Sequence, residues 1–477
     1  MSILSSVSEA VSRTETTIPV GSVTRSVGLL LESAGPPARV GDKCHVYTGS
    51  GGPPIICEVV GFTEEQILLM PFDDVQDIGA GSRVEVAGHQ MTVPVGEAML
   101  GRVLDGLGNP IDALGAIGSD AEYPVNADPP PALARRKINQ VLPLGVRAID
   151  GLLTCGLGQR VGIFAGPGVG KSSLLGMIAR NAKADVNVIA LIGERGREVG
   201  EFIERDLGPE GLKRSVVVVA TSDQTPVLRL RGAQVATAIA EYFRDAGRNV
   251  LLMMDSVTRF AWAQREIGLA TGEPPTRNGY TPSVFAALPR LLERAGSSEK
   301  GSITALYTVL VEGEEMDDPV ASTVRATLDG HVVLSRKLAT MGHYPAIDVL
   351  ESVSRLMTEI ATEEHIMMAQ EIRASVATYR ESEDLINLGA YVSGTNPRVD
   401  RAIVLREPTN VLLRQRTTEN TSFGDTLAAM EEILSVPQPP TPQGLAQDLQ
   451  VQGRAPGDDM LAPFEAARLD SPQAQSH

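Results

Sequence analysis

A glycine-rich segment between an apolar run and an amphipathic run constrains the fold of this chain most strongly. The apolar run RVGIFA predicts a buried strand, and Leu174, Leu175 and Ile178 give the following run a helical stripe. Between them, AGPGVGKS follows the phosphate-loop pattern G-x-x-x-x-G-K-[ST], except that Ala165 occupies the first position. A strand, a loop of this kind and a helix in succession predict a parallel sheet that binds its ligand at the carboxyl edge.

The loop residues have the chemistry of a phosphate cradle. Glycines allow backbone N–H groups to close on phosphate oxygens at the N-terminus of a helix. Lys171 would reach the β- and γ-phosphates, and the Ser172 hydroxyl would bind Mg²⁺. Ala165 lies at the strand end, where a negative φ suffices, so the missing glycine need not harm the cradle. The alternative is a tight strand–helix turn with an incidental lysine. The predicted nucleotide-binding residues are Gly166, Pro167, Gly168, Val169, Gly170, Lys171, Ser172 and Ser173.

Two carboxylates follow other predicted strands. NVLLMMD ends at Asp255, a candidate partner of magnesium either directly or through one of its ligands, and VNVIALIGE ends at Glu194, which could polarise an attacking water. Parallel strands bring their carboxyl ends to one edge of a sheet. Either residue alone could be a helix cap, but both beside the loop predict a catalytic site.

Strand and helix patterns divide the chain into segments. Short β-rich runs from Gly21 predict a small barrel, and alternating strands and helices after it predict an α/β core with a parallel sheet covered on both faces. Helical spacing after Met357 predicts a helical domain, and a Pro- and Gln-rich tail predicts disorder. Residues 2–12 fit either a frayed terminus or a docking helix. The predicted segments are 1–20 (docking), 21–93 (barrel), 94–357 (phosphate-loop ATPase core), 358–435 (helical domain) and 436–477 (tail).

Composition excludes several classes of protein. No apolar run approaches the ~18 residues that span a membrane, and the first 20 residues do not have the pattern that predicts a signal peptide. The 59 acidic residues exceed the 42 basic ones, and the resulting charge of −17 disfavours a nucleic-acid partner. Cys44, Cys57 and Cys155 are widely spaced, which predicts buried thiols in a reducing cytoplasm.

Longer blocks of sequence resemble a known family. The chain from about Gly21 to Leu434 is similar to the ATPases of type III secretion systems, which are related to the β subunit of rotary ATP synthases. In ATP synthase β subunits the loop opens with glycine, whereas in export ATPases it typically opens with alanine, as this chain does at Ala165. The blocks that carry the resemblance are PLGVRAIDGLLTCGLGQRVGIFAGPGVGKSS, GERGREVGEFIE, LLMMDSVTRFAWAQREIG, GEPPTRNGYTPSVFAALPRLLERAG and LDGHVVLSRKLATMGHYPAIDVLESVSRLM.

The resemblance implies a role for five residues. Glu194 matches the catalytic glutamate, and Arg195 and Arg259 match arginines near the γ-phosphate of ATP. Tyr344 matches the tyrosine that stacks on adenine, and Arg355 matches the finger that reaches a neighbouring subunit's nucleotide. A finger supplied in trans is worth ~10³–10⁵ in rate, so the resemblance implies a homohexamer whose lone subunits are nearly inactive.

One region departs from the β subunit. Aromatic residues of the β subunit's C-terminal domain close the adenine pocket, whereas this chain has Leu412 and Leu413 there, and Phe423 is the only nearby aromatic. The adenine end of the site is therefore less defined by the sequence than the phosphate end.

The resemblance also implies a function and partners. It implies a cytoplasmic ATPase, peripheral to the inner membrane, that releases chaperones from export substrates and unfolds the substrates. The implied partners are a stator protein at the N-terminus, a central stalk, chaperone–substrate complexes and an export gate. IDGLLTCG, VVVVATSD and STVRATLDGHVVLSRKL favour the injectisome branch over the flagellar one. A hexameric RNA translocase of the Rho type and a non-catalytic ring subunit are the alternatives.

Overall fold

The computed structural model describes residues 19–49, 51–73, 75, 77–88, 90–311 and 318–437. Almost all of the predicted docking segment and tail therefore lies outside the described residues. The strands are β1 (Val20–Val27), β2 (Leu30–Ala34), β3 (Lys43–Val46), β4 (Ile55–Phe62), β5 (Ile67–Pro71), β6 (Arg83–Gly88), β7 (Thr92–Val95), β8 (Val103–Leu104), β9 (Ala121–Pro124), β10 (Arg160–Ala165), β11 (Val186–Ile192), β12 (Ser215–Ala220), β13 (Asn249–Asp255), β14 (Gly296–Ser297), β15 (Ser302–Leu310), β16 (Gly330–Leu334) and β17 (Ile347–Ser354).

Helices connect the strands and make up the C-terminal region. They are α1 (Arg147–Leu152), α2 (Lys171–Asn181), α3 (Gly196–Glu201), α4 (Gly208–Lys213), α5 (Pro226–Asp245), α6 (Val257–Ala270), α7 (Pro282–Leu292), α8 (Pro319–Thr327), α9 (Arg336–Thr340), α10 (Met357–Ile360), α11 (Glu363–Asn387), α12 (Pro397–Leu413) and α13 (Phe423–Ser435). Within the described part of the chain, every helix is too short or too polar to traverse a bilayer.

The N-terminal strands form the predicted barrel. Strands β1 to β6 close in the order β1-β2-β5-β4-β3-β6 around an apolar interior. The first β-rich run forms two strands rather than one, because the chain turns at Gly28, whose φ of 57° lies in the left-handed region that favours glycine. Cys44 and Cys57 face each other across β3 and β4 as free, buried thiols, as predicted, and burial raises the pKa of Cys44 to about 11.

The central sheet is mostly parallel. Its order is β17-β16-β10-β15-β13-β11-β12-β8, with β17 antiparallel to β16 and β14 antiparallel to β15. Ala165 ends β10 in register with Leu310 of β15 and Leu334 of β16, and it is fully buried. An alanine therefore serves at this position as an ordinary strand residue. The parallel arrangement brings the carboxyl ends of β10, β11 and β13 to one edge.

The chain forms two compact units. Among the described residues, one unit runs from residue 19 to 373 and from 408 to 434 and contains the barrel, the sheet and the helices that cover it. The other contains residues 374–407 and 435–437, so α11 and α12 each contribute to both units. Within the second unit the Tyr391 hydroxyl donates to Asp400 Oδ1 at 2.9 Å. The predicted segment boundaries remain predictions.

A buried ion pair joins the barrel to the α/β core. Arg231 of α5 binds Glu58 of β4 through two hydrogen bonds, one of them 2.6 Å from Nε to Oε2. The two side chains are only 7% and 8% exposed. Charges this buried are tolerated because each compensates the other, so the loss of one leaves the other uncompensated.

We expect Glu58→Gln to lower the free energy of unfolding by about 3 kcal/mol, because the Arg231 charge stays buried without its counter-ion. Denaturant titration measures this. The double variant Glu58→Leu/Arg231→Met should recover most of the loss, since no buried charge remains. Arg25→Ala, which breaks the exposed pair with Glu32, should change the stability by less than about 1 kcal/mol. A double variant no more stable than Glu58→Gln would contradict this interpretation.

Candidate active site

The glycine loop has the backbone conformation of a cradle. Gly168 has a φ of 75° and Gly170 a φ of 94°, both in the left-handed region, and Gly170 directly precedes the first residue of α2. Residues with a Cβ are strained in this region, which explains the glycines at these two positions. The loop therefore delivers Lys171 and Ser172 to the first turn of α2, at the carboxyl edge of the sheet.

Lys171 lies between the two predicted carboxylates. Its Nζ is 2.5 Å from Asp255 Oδ1 and 3.3 Å from Glu194 Oε1. All three side chains are largely buried, with 13%, 6% and 14% of their surface exposed. The structure thus brings together the lysine of the loop and the two acids that the sequence placed at strand ends.

Gly193 gives Glu194 its place at the end of β11. Its φ of 71° turns the chain, and a Cβ there would lie 2.7 Å from Arg259 Cβ. Glycine is therefore required both by conformation and by the close approach of α6.

Thr308 of β15 also belongs to this cluster, although no sequence motif predicted it. Its hydroxyl donates to Asp255 Oδ1 at 2.7 Å and is fully buried. The bond fixes the carboxylate that Lys171 contacts, because β15 lies next to β13 in the sheet. The available signal was a polar threonine inside the apolar run SITALYTVL.

The electrostatics of the cluster are set by burial. Burial, reinforced by the Asp255 charge and only partly offset by Lys171, raises the pKa of Glu194 to about 7. For Lys171, burial alone would lower the pKa, but attraction to Asp255 and Glu194 outweighs it and raises the pKa. Lys171 therefore stays charged, whereas Glu194 exchanges a proton near neutral pH, as a general base must.

The same residues fit a magnesium ion. A metal here would need ligands besides these side chains, because within the described residues no group of three or more His, Cys, Asp or Glu side chains could hold a metal. Mg²⁺ usually takes one or two carboxylates, water and substrate phosphates. Asp255 and Ser172 offer oxygen donors of this kind, and the ammonium of Lys171 shows that Asp255 accommodates a cation.

The two arginines predicted near the γ-phosphate form no ion pair with the cluster around Lys171 within the described residues. Arg195 is 78% exposed and reaches Glu198 at 3.4 Å, so the structure does not bring it to Lys171. Arg259 stacks on Trp262, with its guanidinium carbon 4.5 Å from the ring centroid. Its Nε is buried and makes no hydrogen bond within the described residues. Arg259 packs against the end of β11, whereas Arg195 faces solvent.

Tyr344 and Arg355 lie at opposite edges of the sheet, because Arg355 follows Ser354, which pairs with Gly330 at the start of β16, whereas the loop follows Ala165, which pairs with Leu334 at the end of β16. The Tyr344 ring is 3.5 Å from where a Cβ on Gly170 would stand, and the residue is 46% exposed. Arg355 is exposed, and the nearest acceptor for its guanidinium within the described residues is the carbonyl of Arg325, at 3.4 Å. Tyr344 therefore adjoins the loop of its own chain, whereas Arg355 is accessible to another molecule.

Arg336 is a cation near the loop that the sequence analysis did not single out. Its Nη2 lies 3.7 Å from where a Cβ on Gly166 would stand. The signal was its place in the block STVRATLDGHVVLSRKL, two residues after β16, the strand that neighbours β10.

Two family models match the chain. The ATP synthase alpha/beta family, nucleotide-binding domain, matches residues 145–354, and the T3SS EscN ATPase C-terminal domain matches residues 361–432. The flagellum-specific ATP synthase of Bacillus subtilis is 54% identical over 416 residues, 87% of this chain and 94% of that protein. The type 3 secretion system ATPase of Xanthomonas euvesicatoria is 52% identical over 413 residues, 87% of this chain and 93% of that protein. The chain belongs to the family of type III secretion and flagellar export ATPases.

Solved structures agree with this assignment. The assembled ATPase EscN from enteropathogenic E. coli superposes with a TM-score of 0.83 and 46% identity, covering 87% of this chain and all of that one. EscN in complex with its central stalk EscO gives a TM-score of 0.81. The predicted fold class, an N-terminal barrel, a parallel-sheet core and C-terminal helices, is confirmed, and so is the prediction that this export ATPase is an enzyme.

Leu412, Leu413 and Phe423, which stand where the resemblance sets aromatic residues of the β subunit, all pack against their own chain. Leu412 and Leu413 are buried at 3% and 6% exposure, and Phe423 packs edge-on against His365 with ring centroids 5.7 Å apart. Phe423 is thus engaged with α11. Tyr344 is the aromatic ring that the structure places beside the loop.

We expect the pKa of Glu194 to make stability depend on pH. Because the folded chain raises this pKa from 4.5 to about 7, Glu194 binds its proton more tightly when folded, and the folded state loses stability as pH rises through this interval. Glu194→Gln removes the titration. Without added nucleotide, its melting temperature should exceed that of the wild type by a few degrees at about pH 8, and by much less at about pH 5.

Glu210→Gln, which removes an exposed carboxylate from α4, controls for the loss of one negative charge. A difference between Glu194→Gln and the wild type that stays constant from about pH 5 to about pH 8 would show that Glu194 titrates normally.

Proposed function

We propose that this chain hydrolyses ATP as one subunit of a homohexameric export motor. The observation that carries the proposal is the Lys171 ammonium, held between Glu194 and Asp255 at the carboxyl edge of the sheet. A lysine after a glycine loop, flanked by a buried acid with a raised pKa, supports phosphate binding together with water activation.

The loop and Tyr344 would bind the two ends of the nucleotide. N–H groups of residues 166–170 and the positive end of α2 suit the phosphates, and Lys171 supplies the point charge. The Tyr344 ring, beside Gly170, suits stacking on adenine. Ser172 and Asp255 would hold Mg²⁺, which supplies charge neutralisation at the β- and γ-phosphates.

Glu194 would act on the attacking water. The water oxygen bonds to the γ-phosphorus, the bond from that phosphorus to the bridging oxygen breaks, and the Glu194 carboxylate accepts a water proton. A pKa near 7 leaves a large fraction of Glu194 ionised at neutral pH, so the base is available. Arg259, packed against the end of β11, and Arg195 are proposed to act on the γ-phosphate, Arg195 only after its exposed side chain has moved.

Arg355 is proposed to complete the site of a neighbouring subunit. Its exposed guanidinium makes one long hydrogen bond, to a carbonyl oxygen, within the described residues, which leaves it available to another chain. The structure of EscN is that of an assembled ATPase, and this chain covers all of it. A ring of identical chains supplies one loop and one finger at every interface.

Further partners of the ring are proposed. EscN has been solved with a central stalk, and we propose a stalk for this ring as well. We further propose a stator protein that binds the N-terminal segment, chaperone–substrate complexes as cargo, and an export gate that holds the ring at the cytoplasmic face of the inner membrane. Relatives of the injectisome and flagellar kinds match at 52% and 54% identity, which does not separate the branches. The injectisome branch stays a prediction, which complementation of mutants of each system would test.

Lys171→Ala and Glu194→Gln should separate binding from hydrolysis. Lys171→Ala loses the cation on the phosphates, so we expect both ATP affinity and turnover to fall. Glu194→Gln keeps the cradle but loses the base, so turnover should fall by about 10²–10⁴ while ATP binding persists. Calorimetric titration and phosphate release measure the two effects, and Lys213→Ala, an exposed lysine, is the control. Equal loss of binding in both variants would show that Glu194 is structural.

Mixed rings should test the finger. Arg355→Ala subunits and Lys171→Ala subunits are each expected to be inactive alone, whereas a mixed ring contains interfaces with an intact loop facing an intact finger. Random mixing of equal amounts makes about a quarter of the interfaces competent, so partial ATPase activity should return. Mixed rings that form, as native mass spectrometry would establish, but stay inactive would exclude a finger in trans.

A further inference from the structure

Gln415 ties the base end of the site to the rest of the core. It lies two residues after α12 and is 4% exposed. Its backbone N–H donates to the carbonyl of Tyr344 at 2.9 Å. Its side chain accepts from the Arg147 N–H and donates to the Gly145 carbonyl, both at 2.9 Å. One buried amide thus connects Tyr344 to the segment before α1.

Arg147 holds the segment that contains Gln415. Its Nε donates to the carbonyl of Leu412 at 2.9 Å, and its Nη1 reaches Glu419 Oε2 at 3.0 Å. Its Nη2 also donates to the carbonyls of Val411 and Arg414, and the Arg147 side chain is only 18% exposed. The backbone around Gln415 is therefore fixed on both sides.

Gly145 connects this segment to the helix of the phosphate loop. It has a φ of 74°, and a Cβ there would lie 2.4 Å from Asn181 Cβ, at the C-terminal end of α2. Asp150 fixes the turn by accepting the Leu144 and Gly145 N–H groups, both at 2.8 Å. Gln415 thus contacts a turn packed against the end of α2, while the Tyr344 ring adjoins the start of α2 at Gly170.

The position of Tyr344 depends on its backbone more than on its ring. The residue is 46% exposed, so packing around the ring holds it only in part. The Gln415 N–H bond fixes the carbonyl of Tyr344. The Gln415 side chain in turn bonds Gly145, which packs against α2, so the Tyr344 backbone is held at a set position relative to α2.

We propose that Gln415 is a positioning residue that keeps Tyr344 in register with the phosphate loop and so sets affinity for the nucleotide base. The inference rests on the proposed function of this site. Gln415 itself contacts neither phosphate-binding nor water-activating residues, so its effect should reach the base alone.

ATP and inorganic tripolyphosphate distinguish the two ends of the site. We expect Gln415→Ala to weaken ATP binding by about fivefold, a fraction of the stacking contribution of an aromatic ring, while tripolyphosphate binds as it does to the wild type. KM for ATP should rise correspondingly, with kcat within about twofold at saturation. Equal loss of affinity for both probes would overturn the inference, because Gln415 would then support the loop as a whole.

A double-variant cycle and a matched control complete the test. If Gln415 acts through Tyr344, Gln415→Ala/Tyr344→Ala should bind ATP no more weakly than Tyr344→Ala alone; additive losses would overturn the inference. Gln159→Ala removes another fully buried glutamine that bridges backbone groups, at the opposite end of β10, and should leave ATP affinity unchanged. A wild-type protein that binds neither probe would refute the proposed function; wild-type affinity for ATP in Gln415→Ala would refute this inference only.

Discussion

The burial of one ammonium group governs the arrangement of this site. Lys171 can leave water only because two carboxylates, Glu194 and the Asp255 that Thr308 holds by a hydrogen bond, lie within reach of its Nζ. Those partners come from β11 and β13, while β15 lies between β13 and β10 and supplies Thr308. The strand order is therefore as necessary to the site as the glycine loop, since a different order would leave the lysine charge uncompensated.

The two ends of the site are built differently. At the phosphate end, rigid strand ends and a helix N-terminus hold the cluster around Lys171 in a largely buried setting. At the base end, Tyr344 is half exposed and is fixed through backbone hydrogen bonds to Gln415 and, beyond it, Arg147. Because the two ends are held by different contacts, substitutions in the segment near Leu412 should leave the strand ends untouched.

Stability and chemistry are carried by separate ion pairs. Arg231 and Glu58 link the barrel to α5 and involve no residue of the site, whereas the pairs of Lys171 lie at the sheet edge. The first pair holds two parts of the molecule together in a dry environment. At the sheet edge, burial and the Asp255 charge raise the pKa of Glu194 in spite of its pair with Lys171, so stability falls as Glu194 ionises, but the residue can accept a proton near neutral pH.

The sequence by itself determined the strand–loop–helix unit, the acids at strand ends, the fold class and the family, because each is written in local periodicity or in contiguous blocks. Ala165 could be accepted from the sequence because a strand end needs no glycine. Only the tertiary structure decided that Thr308 reaches Asp255, that Phe423 packs on His365, and that Gln415 contacts Tyr344. Each contact joins residues that are far apart in the sequence, and Thr308 and Asp255 also lie on different strands. No local sequence pattern predicts which of these side chains meet in the folded chain.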